Sequence, residues 1–141
     1  MTAQNRLSSA QKGDQLPALD IPITARQIVS GAIASQDFED VHHDKAAANA
    51  KGTPDIFMNI LTTNGLVGRY LTDWSGPSLH IKRIQLKLGA PNFPGDTMTL
   101  TGQVVNVTDS EIEIAFIGKN GLGHHVTGTG WLTNKLIPSH E

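Results

Sequence analysis

The chain has 141 residues, 38% of them apolar and 17% charged, with eleven Lys and Arg against thirteen Asp and Glu for a net charge of −2. This is the length of one domain, which buries roughly two-thirds of its unfolded surface, and the composition fits neither disorder nor a charged helical rod. The near-neutral balance gives no global attraction to nucleic acid or anionic lipid, and the absence of cysteine excludes disulfides, thiolate catalysis and thiolate metal sites, so a reducing cytoplasm is the expected compartment.

Residues 1–20 are polar and without period; they read as a flexible arm, with the domain itself expected over 21–137. Residues 1–13 have no apolar h-region of a secretory signal, and no segment has the unbroken apolar length that spans a bilayer. Thr24-Ala25-Arg26-Gln27 has the form of a capping box, in which the Thr hydroxyl takes a free amide and the Gln reaches back. Ile28, Val29, Ala32 and Ile33 then recur at helical spacing, which predicts a helix over 24–35. Residues 37–55 are polar and irregular, with a short turn of helix expected at 45–51. Gly52-Thr53-Pro54-Asp55 reads as a stop and a new start. The longest apolar periodic stretch is 57–72, where Phe57, Ile60, Leu61, Leu66, Val67, Tyr70 and Leu71 predict a helix buried on most sides. Gly65 and Gly68 each cost it about 1 kcal/mol against Ala, and their small size leaves room for another backbone or a ligand.

Beyond Ser75-Gly76-Pro77 the period becomes two. Ile84, Leu86 and Leu88 alternate with Arg83, Gln85 and Lys87; Met98 and Leu100 with Thr97, Thr99 and Thr101; Ile112, Ile114 and Phe116 with Glu111, Glu113 and Ala115. Val126 and Leu132 lie opposite His125, Thr127, Thr129 and Trp131. These predict four strands joined by turns at 91–96, Asp109-Ser110 and Asn120-Gly121, paired in sequence order as an antiparallel sheet. One greasy sheet face needs a cover, and the long apolar helix is long enough to supply it. The expected class is α+β: a curled antiparallel sheet wrapped around one central helix, the arrangement called the hotdog fold.

The densest polar cluster, Asp37-Phe38-Glu39-Asp40-Val41-His42-His43-Asp44, falls where a helix gives way to irregular chain. Three readings stand side by side: a solvated turn, a metal site through His42, His43 and Asp44, or an acid–base pair of Asp37 with the His five residues on. Adjacent histidines rarely converge on one ion, and no His-x-His or His-x3-His spacing exists. A carboxylate and an imidazole sharing one water can take a proton from it and deliver one near neutral pH. His124-His125 open a strand and so face opposite ways, which suits structural or surface roles. Lys82, Arg83, Lys87 and Lys119 suit a solvated sheet face better than a phosphate site, Trp74 and Trp131 suit core or interface positions, and Gly121-Leu122-Gly123 suits a hairpin turn.

Asp37 through His42, followed after five residues by Ala48, resembles the Asp-x-Asn-Pro-x-His motif of MaoC-like, hydratase-2-type enoyl-CoA hydratases, which have the hotdog fold. Glu39 and Asp40 stand where the Asn-Pro would be, and Asp55-Ile56 where a His-Gly opens the central helix. The segments Ala34-Ser35-Gln36-Asp37-Phe38-Glu39-Asp40-Val41-His42-His43-Asp44, Asp55-Ile56-Phe57-Met58-Asn59-Ile60-Leu61-Thr62 and Thr72-Asp73-Trp74-Ser75-Gly76-Pro77 are similar to one branch. That branch is the small subunit of actinobacterial enoyl-CoA hydratases of steroid (cholesterol) side-chain degradation. The resemblance implies a hydro-lyase that adds water across the 2,3 double bond of a CoA thioester. Asp37 and His42 would be catalytic, the backbone amide of Ile56 at the start of the central helix would bind the thioester oxygen, and Asn64 would orient the pair. It implies no metal and no cofactor, coenzyme A being part of the acyl-CoA substrate. The partner it implies is a larger MaoC-like subunit in an α2β2 heterotetramer, or else a second copy in a homodimer, with no nucleic acid and no membrane. Two rivals remain: a non-catalytic hotdog that completes another chain's acyl-CoA tunnel, and a hotdog acyl-CoA thioesterase. The residue pair Asp37 and His42 speaks against the first, and the lack of an acid between Met58 and Thr72 against the second.

Overall fold

A computed structural model describes residues 5–135. The first four residues of the expected arm, and Leu136 and Ile137 at the end of the expected domain, lie outside the described residues. Ten elements follow in order: α1 Arg6–Ser9, β1 Gln15–Pro22, α2 Ala25–Ala34, a 3-10 turn Asp40–His42, α3 Lys45–Ala50, α4 Ile60–Ser75, β2 His80–Leu88, β3 Thr97–Val107, β4 Glu111–Asn120 and β5 Gly123–Thr133. The strands form one antiparallel sheet in the order β1-β3-β4-β5-β2.

Residues 15–20 belong to that sheet, not to a loose arm. Leu16 and Ile21 of β1 are both buried although they are five residues apart, an odd spacing that a regular strand would send to opposite faces. A register shift between Leu16 and Leu19 reconciles them, and it also erases the period-two signal. Further upstream, the Arg6 guanidinium stacks 4.8 Å from the Trp74 ring centre and its Nε donates to the Trp74 carbonyl at 3.0 Å, so α1 is docked on the end of α4.

The strands are not paired in sequence order either. α4 packs against β1, β2 and β5 as it runs over the sheet, so the chain leaves it at the edge opposite β1, and β2 joins β5 rather than β3. That leaves β3, β4 and β5 as a simple meander in the middle. Met98, Leu100 and Val104 of β3, Ile112, Ile114 and Phe116 of β4, and Val126 and Leu132 of β5 meet Val67, Tyr70 and Leu71 of α4 in the core. Each such side chain contributes about 1.5–3 kcal/mol on full burial. The helix sits close because β5 offers no side chain beneath it at Gly130, where a Cβ would lie 2.5 Å from a Leu71 methyl. The result is the hotdog fold, a sheet curled about one helix.

α4 starts three residues later than its apolar period suggests and is buried on one face only. Ile60 and Leu61 remain 46% and 49% exposed. Residues 56–59 are held out of the helix instead, because the Phe57 amide donates to Val41 and the Met58 amide to Asn92. Asn59 caps the helix, accepting the Thr62 amide. Thr24 caps α2 through the Gln27 amide as expected, but Gln27 does not reach back: its carboxamide oxygen is buried without a partner. Among the described residues no helix is long and apolar enough to cross a membrane.

Candidate active site

The site begins with the way α2 ends. Gln36 adopts φ 59°, and the amides of Gln36 and Asp37 donate back to Ile33 and Ala32. This is a Schellman closure made with Gln where Gly is usual, and it turns the chain sharply so that Asp37 faces the head of α4. The 3-10 turn then brings His42 back over Asp37, with its own amide bonded to Glu39. The His42 Nε2 lies 3.4 Å from Asp37 Oδ2, in a spot where the side chains are 9% and 22% exposed. The structure therefore brings together the two residues that the motif singles out.

His42 Nδ1 lies 2.6 Å from the Phe57 carbonyl oxygen, and the ring meets the Phe57 ring edge-on at 5.1 Å. A carbonyl only accepts, so Nδ1 carries a hydrogen, and Nε2 is the ring nitrogen turned to Asp37. Asp37 is held as an anion from two sides. Oδ2 accepts from Asn59 Nδ2 at 3.0 Å and Oδ1 from the Glu39 amide at 3.3 Å. These two bonds, the Asn59 one first, keep the carboxyl below the ordinary aspartate value against the opposing effect of partial desolvation; His42 and His43 add smaller attractions.

The neighbouring residues are spoken for separately. His43 Nε2 donates to the Asp37 backbone carbonyl at 2.9 Å and so braces the loop. Asp44 caps α3 through the amides of Ala46 and Ala47. His42, His43 and Asp44 thus turn to three different partners and do not converge on an ion. No group of three or more potential metal-ligating side chains occurs among the described residues.

Two expected site residues are placed otherwise. Ile56 does not open the central helix; it precedes Ile60 by four residues, and its amide is already bonded to Asp55 Oδ1 at 2.8 Å. The amides of Ile60 and Leu61 in the first turn of α4 have no acceptor among the described residues, whereas that of Thr62 is taken by Asn59 Oδ1 at 2.9 Å. Asn64 does not orient the pair. It stands half-buried farther along α4 with no hydrogen bond to Asp37 or His42, and Asn59 makes that contact in its place. The sequence does carry a signal for Asn59 as a helix cap, since Asn directly precedes a helical period. Nothing local signals that its other end reaches Asp37.

His125 is structural, and His124 is exposed. A register shift in the β4–β5 pairing leaves His125 as the bulged residue, which lets both it and Val126 be buried. Its Nδ1 donates to the Ala90 carbonyl at 2.7 Å and its Nε2 accepts from the Thr63 hydroxyl at 2.8 Å. Burial pushes this imidazole down from its ordinary value, only partly offset by the Ala90 bond. Of the surface cations, Lys82 pairs with Glu111 at 2.8 Å, and Arg83 lies 5.2 Å over the Trp131 ring.

Beside the pair, an open groove of about 340 Å³ runs between α2 and α4, lined by Gly31, Ala34, Ser35, Leu61, Thr62 and Leu66. Its surroundings carry exposed apolar side chains: Ile33, Phe38, Ile60 and Leu61.

A sheet curled around α4 defines a hotdog protein, here with a carboxylate and an imidazole facing each other at the helix head. The chain belongs to the MaoC-like family: the MaoC like domain matches residues 7–124. It is 51% identical, over 117 residues, to the 3-oxo-4,17-pregnadiene-20-carboxyl-CoA hydratase beta subunit of Mycobacterium tuberculosis (strain ATCC 25618 / H37Rv), an alignment covering 83% of this chain and 91% of that one. Among solved structures it resembles a chain of the ChsH1-ChsH2 complex from Mycobacterium tuberculosis, with TM-score 0.86 and 49% identity over 89% of this chain and 98% of the other. R-hydratase PhaJ1 from Pseudomonas aeruginosa shares the fold at TM-score 0.82 and 18% identity, over 96% of this chain and 95% of that one.

Proposed function

We propose that this chain is the dyad-bearing subunit of an enoyl-CoA hydratase that adds water to a steroid side-chain 2-enoyl-CoA, with Asp37 and His42 as its catalytic pair. The observation that carries this reading is the meeting of Asp37 Oδ2 and His42 Nε2 at 3.4 Å, with the imidazole tautomer fixed by the Phe57 carbonyl. The kind of substrate is suggested by the named relative, a hydratase subunit for a pregnadiene carboxyl-CoA.

In this reading a water is held between the two side chains. Hydrogen bonds that stabilise the Asp37 carboxylate also weaken it as a base, so the imidazole Nε2 takes the proton while the carboxylate steadies the resulting cation. The water O–H bond breaks, the oxygen bonds to the β-carbon, and the double-bond electrons move toward the thioester oxygen. The α-carbon then receives the proton from Nε2, and the enolate collapses to the saturated thioester. The developing negative charge is met by free amides at the head of α4, those of Ile60 and Leu61, rather than by the occupied amide of Ile56.

The assembly we propose is a pair of hotdogs, with a larger MaoC-like chain as the partner in an α2β2 arrangement. Its support is threefold: the outer sides of edge strands β1 and β2 have no pairing strand among the described residues, apolar side chains are exposed next to the pair, and a named structural relative is a two-chain complex.

The test is hydration of a panel of steroid and linear 2-enoyl-CoA thioesters by the chain purified with its larger partner. Hydrated product should form, and Asp37→Asn should lower its rate about 10²-fold or more. Release of free CoA thiol instead would make the protein a thioesterase. Full hydration by the Asp37→Asn complex would make this chain the non-catalytic partner.

A further inference from the structure

We infer that Asn59 is a positioning residue of the site: its amide group clamps Asp37 Oδ2 toward His42 while its carbonyl group caps α4, so that the start of the central helix and the aim of the carboxylate are set by one side chain. This rests on the hydratase reading above for its kinetic consequence, but not for its geometry.

Asn59 is 3% exposed, and all four of its side-chain hydrogen-bonding positions are used. Oδ1 accepts the Thr62 amide at 2.9 Å and the Thr62 hydroxyl at 2.6 Å. Nδ2 donates to Asp37 Oδ2 and to Ser35 Oγ, both at 3.0 Å. The orientation of the amide is not arbitrary. A backbone N–H can only donate, so the end facing Thr62 must be the oxygen, and the nitrogen must then face the carboxylate. Ser35 is fixed in turn: its hydroxyl donates into α2, to the Gly31 carbonyl at 2.7 Å, with Ala32 at 3.1 Å, and so offers a lone pair to Asn59. The amide is therefore locked between the last turn of α2 and the first turn of α4, and cannot rotate away from Asp37 without breaking a cap.

Capping alone does not explain the residue. Ser, Thr and Asp cap a helix about as well as Asn, yet none of them donates two hydrogen bonds from the same side chain while accepting at the cap. The acceptor it serves is Oδ2, the carboxylate oxygen that also faces His42 Nε2. The direction of the Asp37 shift agrees, with the Asn59 bond its first cause.

The test separates the two jobs with Asn59→Ser and Asn59→Asp in the assembled enzyme. Ser keeps the cap and removes the clamp; Asp keeps the cap and places a second carboxylate against Asp37. Two readouts are taken: titration of the Asp37 carboxyl by carbon NMR, which needs no turnover, and the separate values of kcat and KM. In Asn59→Ser the Asp37 titration should move up toward the ordinary aspartate range. There kcat should fall about 10- to 100-fold, the scale of one lost charge-assisted hydrogen bond, with KM and melting temperature little changed. Asn59→Asp should raise the carboxyl titration further and couple it to a second group. An unmoved Asp37 titration in a folded Asn59→Ser enzyme would overturn the clamp. A moved titration with an unchanged kcat would overturn the positioning role. Absence of hydration in the unmodified enzyme, with the titration shifting as expected, would overturn the hydratase reading and leave the clamp standing.

Discussion

His42 and His43 are adjacent in sequence and chemically identical, and the structure assigns them different work, so replacing each by Gln is a direct test of the motif register. His43 makes one hydrogen bond to the backbone, 2.9 Å to the Asp37 carbonyl, at a half-buried position. A neutral bond of this kind contributes about 0.5–1.5 kcal/mol, and a Gln amide retains part of it. Even if about 1 kcal/mol were lost entirely from transition-state positioning, turnover would fall only about fivefold. His42 turns its Nε2 to Asp37, and Gln at that position has no group that takes up and returns a proton. The loss there is about 10²- to 10⁴-fold, or roughly 2.7–5.4 kcal/mol of barrier. Its carboxamide still has a donor for the Phe57 carbonyl, so folding should survive. The assay is the loss of enoyl-thioester absorbance at saturating substrate, with melting temperatures measured in parallel. The His42→Gln enzyme should be slower than His43→Gln by at least an order of magnitude at similar stability. Equal damage from the two would move the acid–base role away from His42 and refute the register on which the reading stands.

Gly128→Ala should cost about 2 kcal/mol or more in urea unfolding, because a Cβ there meets the Gln85 carbonyl of the adjacent strand and lies 2.7 Å from the Phe116 ring; a neutral change would show that β2 yields more readily than its pairing implies. His125 is held below its ordinary value of 6.5, so the unfolded chain binds a proton there before the folded one does. Stability should therefore be full above about pH 6.5, decline as the pH falls from there to the folded value, and level off below it, a slope that His125→Gln should reduce in urea midpoints measured at stepped pH. Asp37 is likewise held below its ordinary value: its carboxyl, followed by carbon NMR, should titrate below the ordinary aspartate range, and a titration above it would contradict the two hydrogen bonds on the carboxylate. Strong chelators should leave hydration unchanged, and activity lost to a chelator and restored by a divalent ion would overturn the acid–base account.

Where the burial of an element follows a single period, the sequence announces it. β4 is the clearest case: Ile112, Ile114 and Phe116 are all fully buried or nearly so, with no irregularity to disturb the alternation. β1 is not legible because its two buried residues lie on either side of a register shift, and a strand that breaks its own period looks like loop. The strand order is not legible for a different reason. Alternation fixes which face a residue takes but not which strand lies beside it, and the placement of β2 next to β5 follows from the path of α4 over the sheet. α4 reads as longer than it is because Phe57 and Met58 continue the apolar pattern while their backbone is committed to other partners, the Phe57 carbonyl to His42 and the Met58 amide to Asn92.

The site divides along the same line. Asp37 and His42 stand close in sequence, and a helix stop followed by one tight turn is enough to bring them face to face, so a short motif suffices to find them. The residues that decide how the pair works come from farther away. Asn59 is 22 positions beyond Asp37, and Phe57 is 15 beyond His42. Asn59 reaches Asp37 with the nitrogen of a side chain whose oxygen makes the local cap, and Phe57 reaches His42 with a main-chain carbonyl. A carbonyl leaves no trace in the choice of side chain, and an N-cap Asn is fully accounted for by its cap. Such residues become visible only when the far end of the side chain, or the carbonyl itself, is seen against its partner. The head of α4 concentrates three such features within five residues: the Phe57 carbonyl receives the His42 Nδ1 hydrogen, Asn59 holds the carboxylate, and the amides of Ile60 and Leu61 have no acceptor among the described residues. In the proposed mechanism, a shift in where α4 begins would therefore disturb the imidazole, the carboxylate that steadies it and the charge stabilisation together, which is a physical reason for Asn to fix that start.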